Sequence, residues 1–246
     1  LVEDITGGDW DKNKQLADQT FQKLETAEAK PATKYSLEQY AKFEIALYES
    51  AEAKAYLFTE RGITYDTARK LHFGFCQNLE TLNKKFKDDL KPIADNGWIL
   101  MPAVDGDDVI CIEGRSMVEK EFVRKTGMEG TCLFGLNFID WSEPVYLVEG
   151  KFDQAMFIQA GFRAVSLPNA TANLTPKMRD MLMSASVVIL AGDNDGGAGT
   201  NRMVKLWNEF QERTFRLVWP DGKKDANQTF LETCKRDIEC FRKLVD

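Results

Sequence analysis

The chain has a single histidine, His72, only five cysteines, and no long uninterrupted apolar run. The cysteines are odd in number, scattered and without a CxxC pair, so they indicate neither a disulfide framework nor a zinc site. One histidine is too few for a histidine-based metal site, and it argues against serine–histidine or cysteine–histidine catalysis. The chemistry of this chain must therefore rest on carboxylates, lysines and arginines.

No stretch approaches the roughly eighteen apolar residues that a membrane-spanning helix needs. The opening residues LVEDITGGDW lack the basic flank and apolar segment of a signal peptide. We therefore expect a cytoplasmic protein with no membrane partner. The 43% hydrophobic and 29% charged residues are typical of a globular chain with one large or two modest domains.

The formal net charge is −7. This argues against tight non-specific binding to duplex DNA, because such binding needs clustered contacts to phosphates. Acidic residues are most in excess before residue 54. A local basic groove in the rest of the chain therefore remains open.

The first part of the chain is rich in helix-forming residues. Helices are predicted at 10–29 and 36–61, and Pro31 separates them. Ser36 precedes apolar residues at helical spacing, so it is the expected start of the second helix.

A different pattern follows. Residues 63–71 predict a short helix that Thr64 caps. Two apolar segments, 97–104 and 108–115, flank the turn-forming sequence Asp-Gly-Asp and predict a β-hairpin.

From Pro144 onward, apolar runs and helical segments alternate. Strands are predicted at 145–149, 163–167, 187–192 and 214–219, and helices at 152–161, 175–184, 199–212 and 227–243. Four such units with apolar strands predict a parallel sheet that helices cover on both faces. In such sheets ligands bind at the carboxyl ends of the strands.

Acidic residues stand at three of these four strand ends. They are Glu149 and Asp153 after the first strand, Asp193 and Asp195 after the third, and Asp221 and Asp225 after the fourth. Carboxylates gathered at one edge repel each other unless a cation lies between them. Mg²⁺, which binds carboxylates together with substrate phosphates, is the natural partner.

The order of these motifs resembles the Toprim domain of primases, topoisomerases and some nucleases: a Glu after the first strand, DxD after the third and GKKD after the fourth. The resemblance covers about residues 143–235. The segment YLVEGKFDQAMFIQAGFRAVSLPNA is similar to the primase branch of the family. The sequence KDAN is similar to phage primase-helicases and the mitochondrial Twinkle family.

The Toprim resemblance implies a site that binds Mg²⁺ or Mn²⁺. The implied metal ligands are Glu149, Asp193, Asp195 and Asp225, and the implied catalytic residues are Glu149, Asp153, Asp193 and Asp195. Asn227 stands where bacterial primases place an acid. This departure implies a weaker hold on a second metal ion.

A fainter resemblance to DnaG-like primases extends upstream, through AYLFTERGITYDTARKLHFGF, GWILMPAVDGDDVICIEGRSM and KEFVRKTGMEGTCLFGLN. In these families this region holds the template and the incoming nucleotide. The implied nucleotide- or template-binding residues are Arg115, Lys120, Arg124, Lys125 and Lys151.

The expected fold is α/β: a Toprim domain with a four-stranded, mostly parallel sheet between helices (141–246), preceded by an α+β subdomain (54–140) and a helical N-terminal segment (1–53). The resemblance implies a primase core that makes short RNA primers on single-stranded DNA from nucleoside triphosphates. It also implies two partners outside this chain, a zinc-binding module and a replicative helicase.

Two other functions stay open. A Toprim nuclease uses similar carboxylates to cut nucleic acid. A non-catalytic, helicase-associated or nucleic-acid-binding module would keep the fold alone. A topoisomerase is not expected, because the chain has no room for a strand-passage gate.

Overall fold

A computed structural model describes residues 32–78, 97–125, 127–129, 131–169, 173–194, 196–210, 213–220 and 222–246. The predicted helix at 10–29 lies outside these residues. Contacts divide the chain after Ala32, and the features below belong to the unit Thr33–Asp246. In the described part of the chain no helix combines the length and the apolar character needed to cross a membrane.

The first half of this unit contains an antiparallel sheet and several short helices. Its strands are β1 (Tyr35–Ser36), β2 (Gly74–Cys76), β3 (Trp98–Asp105), β4 (Asp108–Ser116) and β5 (Phe122–Arg124). Its helices are α1 (Leu37–Glu49), α2 (Ala51–Lys54), a π-helical turn (Ala55–Glu60) and α3 (Tyr65–Lys70). The strand order is β1-β4-β3-β2, and β5 pairs with β4.

The predicted hairpin forms β3 and β4, with a turn one residue shorter than expected. Asp105 pairs with Asp108, so only Gly106 and Asp107 remain in the turn. Gly106 has φ +61°, a left-handed conformation that favours glycine in such tight turns.

Strand β3 is buried on both faces, which explains its continuous apolar sequence. Trp98 and Leu100 lie in a core with Phe43 of α1. Ile99 and Met101 point the other way, into the core that includes residues of the second sheet. The two sheets of the unit therefore share one hydrophobic interior.

The prediction of one continuous helix over 36–61 was wrong, although its start was right. Ser36 begins α1 with a capping box, in which it exchanges hydrogen bonds with Gln39. Ser50 interrupts the helix with extended backbone and then caps α2 by accepting from the Ala53 N–H. Serine hydroxyls compete for backbone donors in this way, so Ser50 ends one helix and starts the next.

The second half of the unit is the predicted parallel sheet. Its elements are β6 (Val145–Val148), α4 (Lys151–Gln159), β7 (Ala164–Ser166), α5 (Pro176–Ser184), β8 (Val188–Leu190), α6 (Ala198–Phe210), β9 (Thr214–Arg216), α7 (Ala226–Gln228), a π-helical turn (Thr229–Thr233) and α8 (Ile238–Val245). A short 3₁₀ helix (Leu136–Phe138) precedes them. The strand order is β7-β6-β8-β9, and every pair is parallel.

Alternate residues of β6 point to opposite helical layers, as a strand with two covered faces requires. Tyr146 and Val148 pack with α4 and the C-terminal helices. Val145 and Leu147 pack with α5 and α6. The α/β fold with a four-stranded sheet between helices is therefore confirmed.

The predicted helix at 227–243 was wrong in its continuity. The helix is interrupted between the π-helical turn and α8, where Lys235 (φ 49°) and Arg236 (φ 69°) adopt left-handed conformations. Asp237 then caps α8 by accepting from the Glu239 and Cys240 N–H groups. The sequence has no glycine or proline at this interruption, and its apolar residues keep helical spacing across it. The pattern therefore predicted one continuous helix.

Candidate functional site

The strand order brings two of the predicted acids together. Because β6 and β8 are parallel neighbours, the loops that follow them leave the same edge of the sheet. The backbone N–H of Asp193 donates to Glu149 Oε1 at 3.1 Å. Asp195, the second acid of the DxD motif, lies outside the described residues.

Asp153 lies beneath this edge, in the first turn of α4. It is buried, and its Oδ1 accepts from the Asn227 N–H at 2.9 Å. Burial raises the pKa of Asp153 well above its usual value, and the charges of Asp225 and Asp193 raise it further. Asp153, Asp193 and Asp225 therefore interact electrostatically at this edge.

Asp225 already has a structural role. Its Oδ1 caps α7 by accepting from the Gln228 N–H at 2.8 Å. Two residues further on, the Asn227 side chain donates to the Arg61 carbonyl at 2.8 Å. Asn227 thus connects the acidic edge to the antiparallel half.

Lys224 was not predicted, although it stands inside the GKKD motif. Its Nζ lies 2.5 Å from Asp193 Oδ2. Burial by itself lowers the pKa of Lys224, but the hydrogen bond to Asp193 and the charges of Asp193, Asp225 and Asp153 together raise it. In the sequence, Lys224 directly precedes Asp225, one of the acids that follow the fourth predicted strand.

The donor atoms at this edge fit a hard divalent cation. Mg²⁺ and Mn²⁺ bind carboxylate oxygens, and the bond from the Asp193 backbone to Glu149 brings these two acidic residues to the same edge. Asp193 and Asp225 repel the charged form of Asp153, and an added cation would offset this repulsion. Within the described ranges, no three acidic, histidine or cysteine side chains are already arranged around a common point.

Three of the five predicted basic residues lie in β4, in the segment before β5, and directly after β5: they are Arg115, Lys120 and Lys125. Arg115 is buried, its Nη1 donates to the Ser116 carbonyl at 2.6 Å and to the Glu119 carbonyl, and its guanidinium covers the Phe122 ring at 5.1 Å. Lys120 is exposed in the same segment.

Lys125 follows β5, and its Nζ lies 5.5 Å from the centre of the Tyr35 ring. Arg61, which was not predicted as a site residue, lies between the aromatic rings of Tyr56 (5.1 Å) and Phe152 (5.0 Å). Burial lowers the pKa of Arg115, and the Arg61 charge lowers it further, so the two arginines are neighbours. The RG turn in the sequence was the signal for Arg61.

The other two predicted basic residues surround a buried acid. Lys151 Nζ lies 2.6 Å from Glu113 Oε1, and Arg124 Nη2 lies 3.1 Å from Glu113 Oε2. Both cations also donate to the Pro168 carbonyl, at 2.9 Å and 2.7 Å. Lys151 is only 5% exposed, so its ammonium group lies in the interior, where it joins β4 to α4.

Comparisons with known proteins agree with this architecture. Residues 146–230 match the model of the Toprim-like family. The zinc-binding and RNA polymerase domains of Aquifex aeolicus primase superpose with a TM-score of 0.62 at 22% identity, over 96% of this chain and 70% of that chain. The RNA polymerase domain of Mycobacterium tuberculosis primase DnaG gives 0.61 at 20% identity, over 85% and 80%.

The primase fragment of the bacteriophage T7 primase-helicase gives a TM-score of 0.56 at 18% identity, over 74% of this chain and 71% of that chain. No curated protein sequence matches the chain. The chain therefore contains a Toprim-like domain and has the fold of the catalytic core of DnaG-like primases.

Proposed function

We propose that this chain is the RNA-polymerase core of a DnaG-like or phage-type DNA primase, which makes short RNA primers on single-stranded DNA by metal-dependent nucleotidyl transfer. The observation that carries the proposal is the contact between Glu149 and the Asp193 backbone at the carboxyl edge of the parallel sheet. It brings together the acids of two separate motifs. The primase-core fold around them supports the same function.

In the proposed mechanism Glu149, Asp193 and Asp195 would hold Mg²⁺ or Mn²⁺. Such an ion, when bound, polarises the α-phosphate and offsets the charge of the departing pyrophosphate. Asp153 and Asp225 would orient groups around it, because the charges of Asp193 and Asp225 both act on Asp153. The chain's own contribution is to hold these carboxylates at one edge before the substrate arrives.

The basic residues divide into two groups in this proposal. Arg115, Lys120 and Lys125 would contact the triphosphate or the template. Arg124 and Lys151 would instead keep β4 against α4, because Glu113 binds both of them. A zinc-binding module and a replicative helicase are proposed partners, since the A. aeolicus and T7 relatives carry these parts.

A primer-synthesis assay tests the function. The full chain is incubated with single-stranded DNA of mixed sequence, labelled nucleoside triphosphates and Mg²⁺ or Mn²⁺. Short, RNase-sensitive products that require template and metal would support a primase. Metal-dependent shortening of the DNA without synthesis would establish the nuclease instead.

A binding titration covers the case in which synthesis needs a partner protein. Nucleoside triphosphate should bind in the presence of metal and single-stranded DNA. Absence of both synthesis and triphosphate binding would contradict the proposal and leave a non-catalytic module.

Replacing Arg115 with alanine is expected to raise the KM for nucleoside triphosphates roughly ten- to a hundredfold, the range for a lost hydrogen bond to a charged group. Metal affinity should change little, because Arg115 touches none of the described carboxylates. Lysine should restore the function poorly, since it lacks the planar fork of donors. Steady-state kinetics and a Mn²⁺ titration measure the two effects.

Lys205→Ala is the control, because Lys205 is an exposed cation on α6 and is not among the predicted binding residues. Thermal unfolding of both variants shows whether the loss of the Arg115 bonds to the Ser116 and Glu119 carbonyls merely unfolds the segment. A KM unchanged in folded Arg115→Ala protein would refute the assignment.

A further inference from the structure

Lys224 lies where a cation bound to Asp193 would lie. The distance from its Nζ to Asp193 Oδ2 is 2.5 Å, and the Asp193 side chain is 18% exposed while that of Lys224 is 39% exposed. A metal ion bound to this carboxylate approaches its oxygens even more closely, to about 2.0–2.1 Å for Mg²⁺. The ammonium group therefore covers an oxygen that a metal ion would use.

The backbone holds Lys224 in this place. Its carbonyl accepts from the Asn194 N–H at 2.7 Å, which joins its loop to the loop after β8. Its own N–H donates to Gln228 Oε1 at 2.9 Å. The neighbouring Lys223 instead pairs with Glu232 at 2.6 Å, so the two consecutive lysines have different partners.

An ammonium group and a divalent cation cannot share this carboxylate without strong repulsion, because two positive charges a few ångströms apart oppose each other in a partly buried site. Lysine carries its charge on a flexible four-carbon chain, so the ammonium group can move away while the backbone stays in place. The anchored loop and the flexible side chain together allow an exchange of one cation for another.

We propose that Lys224 is an internal counter-cation, which neutralises the acidic edge in the metal-free protein and is displaced from Asp193 when a divalent metal ion binds. The inference rests on the proposed metal-dependent function. Lys224 is then a positioning residue that sets the metal affinity of the site. In the metal-free protein it reduces the repulsion among Asp193, Asp153 and Asp225. Because it must leave Asp193 before a metal ion binds there, it also lowers the affinity for the metal.

The test is a Mn²⁺ titration, followed by the electron paramagnetic resonance signal of free Mn²⁺, on the whole chain. Lys224→Met should bind Mn²⁺ roughly two- to fivefold more tightly than the wild type, the range expected from removing a partly exposed ion pair. Lys223→Met is the matched control, and its Mn²⁺ affinity should equal that of the wild type. Lys224→Gln, which keeps a hydrogen-bond donor without the charge, should bind more tightly as well.

A second readout needs no metal. In EDTA, Lys224→Met should unfold at a lower temperature than Lys223→Met, because the repulsion among the three aspartates loses its counter-cation. Adding Mg²⁺ should raise the unfolding temperature of Lys224→Met more than that of the wild type, since a tighter ligand stabilises the folded state more.

A double-mutant cycle ties the effect to the contact with Asp193. In an Asp193→Asn background, Lys224→Met should no longer increase the affinity for Mn²⁺. Unchanged or weaker Mn²⁺ binding by folded Lys224→Met and Lys224→Gln, with a wild type that binds Mn²⁺, would overturn the counter-cation role alone. A wild type that binds no Mn²⁺ would instead overturn the metal-dependent function on which this inference rests.

Discussion

Asp193→Asn is expected to lower the rate of primer synthesis at least about a hundredfold at saturating Mg²⁺, because a metal ion supplies several kcal/mol of transition-state stabilisation and loses a charged ligand here. Asparagine keeps the size of the side chain and removes only the charge. The backbone N–H of residue 193 can still donate to Glu149, so the edge of the sheet should keep its geometry.

The free energy of unfolding of Asp193→Asn should stay within about 1 kcal/mol of the wild-type value, since a partly exposed ion pair contributes little to stability. Two small effects oppose each other: the loss of the Lys224 ion pair, and relief of the repulsion that raises the pKa of Asp153. Asp180→Asn, an exposed acid on α5, is the control and should retain full activity. Near-normal synthesis by Asp193→Asn would remove Asp193 from the mechanism.

Glu113→Ala is expected to reduce the free energy of unfolding by about 3–5 kcal/mol, the usual cost of removing one partner of a buried ion pair. Glu113 is 5% exposed and binds Lys151 at 2.6 Å and Arg124 at 3.1 Å. Its loss would leave the interior Lys151 ammonium group with the Pro168 carbonyl as its hydrogen-bond acceptor among the described residues. Urea unfolding followed by circular dichroism measures the change.

Two further variants test whether the effect comes from the burial of this ion pair. Asp108→Ala breaks the exposed Lys34–Asp108 pair, whose side chains are 54% and 48% exposed, and should cost less than about 1 kcal/mol. The double variant Glu113→Leu with Lys151→Met should recover much of the lost stability, because an apolar pair can replace a buried ion pair. A Glu113→Ala loss as small as that of Asp108→Ala would disprove a structural role for the buried pair.

Local patterns predicted the elements of the parallel half well. Strands buried on both faces are continuous apolar runs, and Thr175 followed by Pro176 marks the start of α5. The same kind of pattern missed the breaks at Ser50 and at residues 234–237. These breaks depend on capping and left-handed backbone, which a helical periodicity does not encode.

The common edge of Glu149 and Asp193 could also be predicted from the sequence, because each of them follows an apolar strand. What the sequence could not show is which cation meets which acid. Lys151 and Arg124 were predicted to bind nucleotide or template, but both form ion pairs with Glu113, a buried acid of β4. Lys224, which was not predicted as a site residue, forms an ion pair with Asp193.

The sequence by itself therefore determined most strands and helices of the parallel half, the parallel sheet, and the edge to which Glu149 and Asp193 belong. These properties depend on local periodicity and on the common direction of parallel strands. Only the tertiary structure decided that Glu149 and Asp193 touch, because their contact needs β6 and β8 to be neighbours. It also decided the ion pairs, because their partners lie far apart in the chain. Which charged side chains meet depends on the spatial order of the strands and loops, and no local sequence pattern specifies that order.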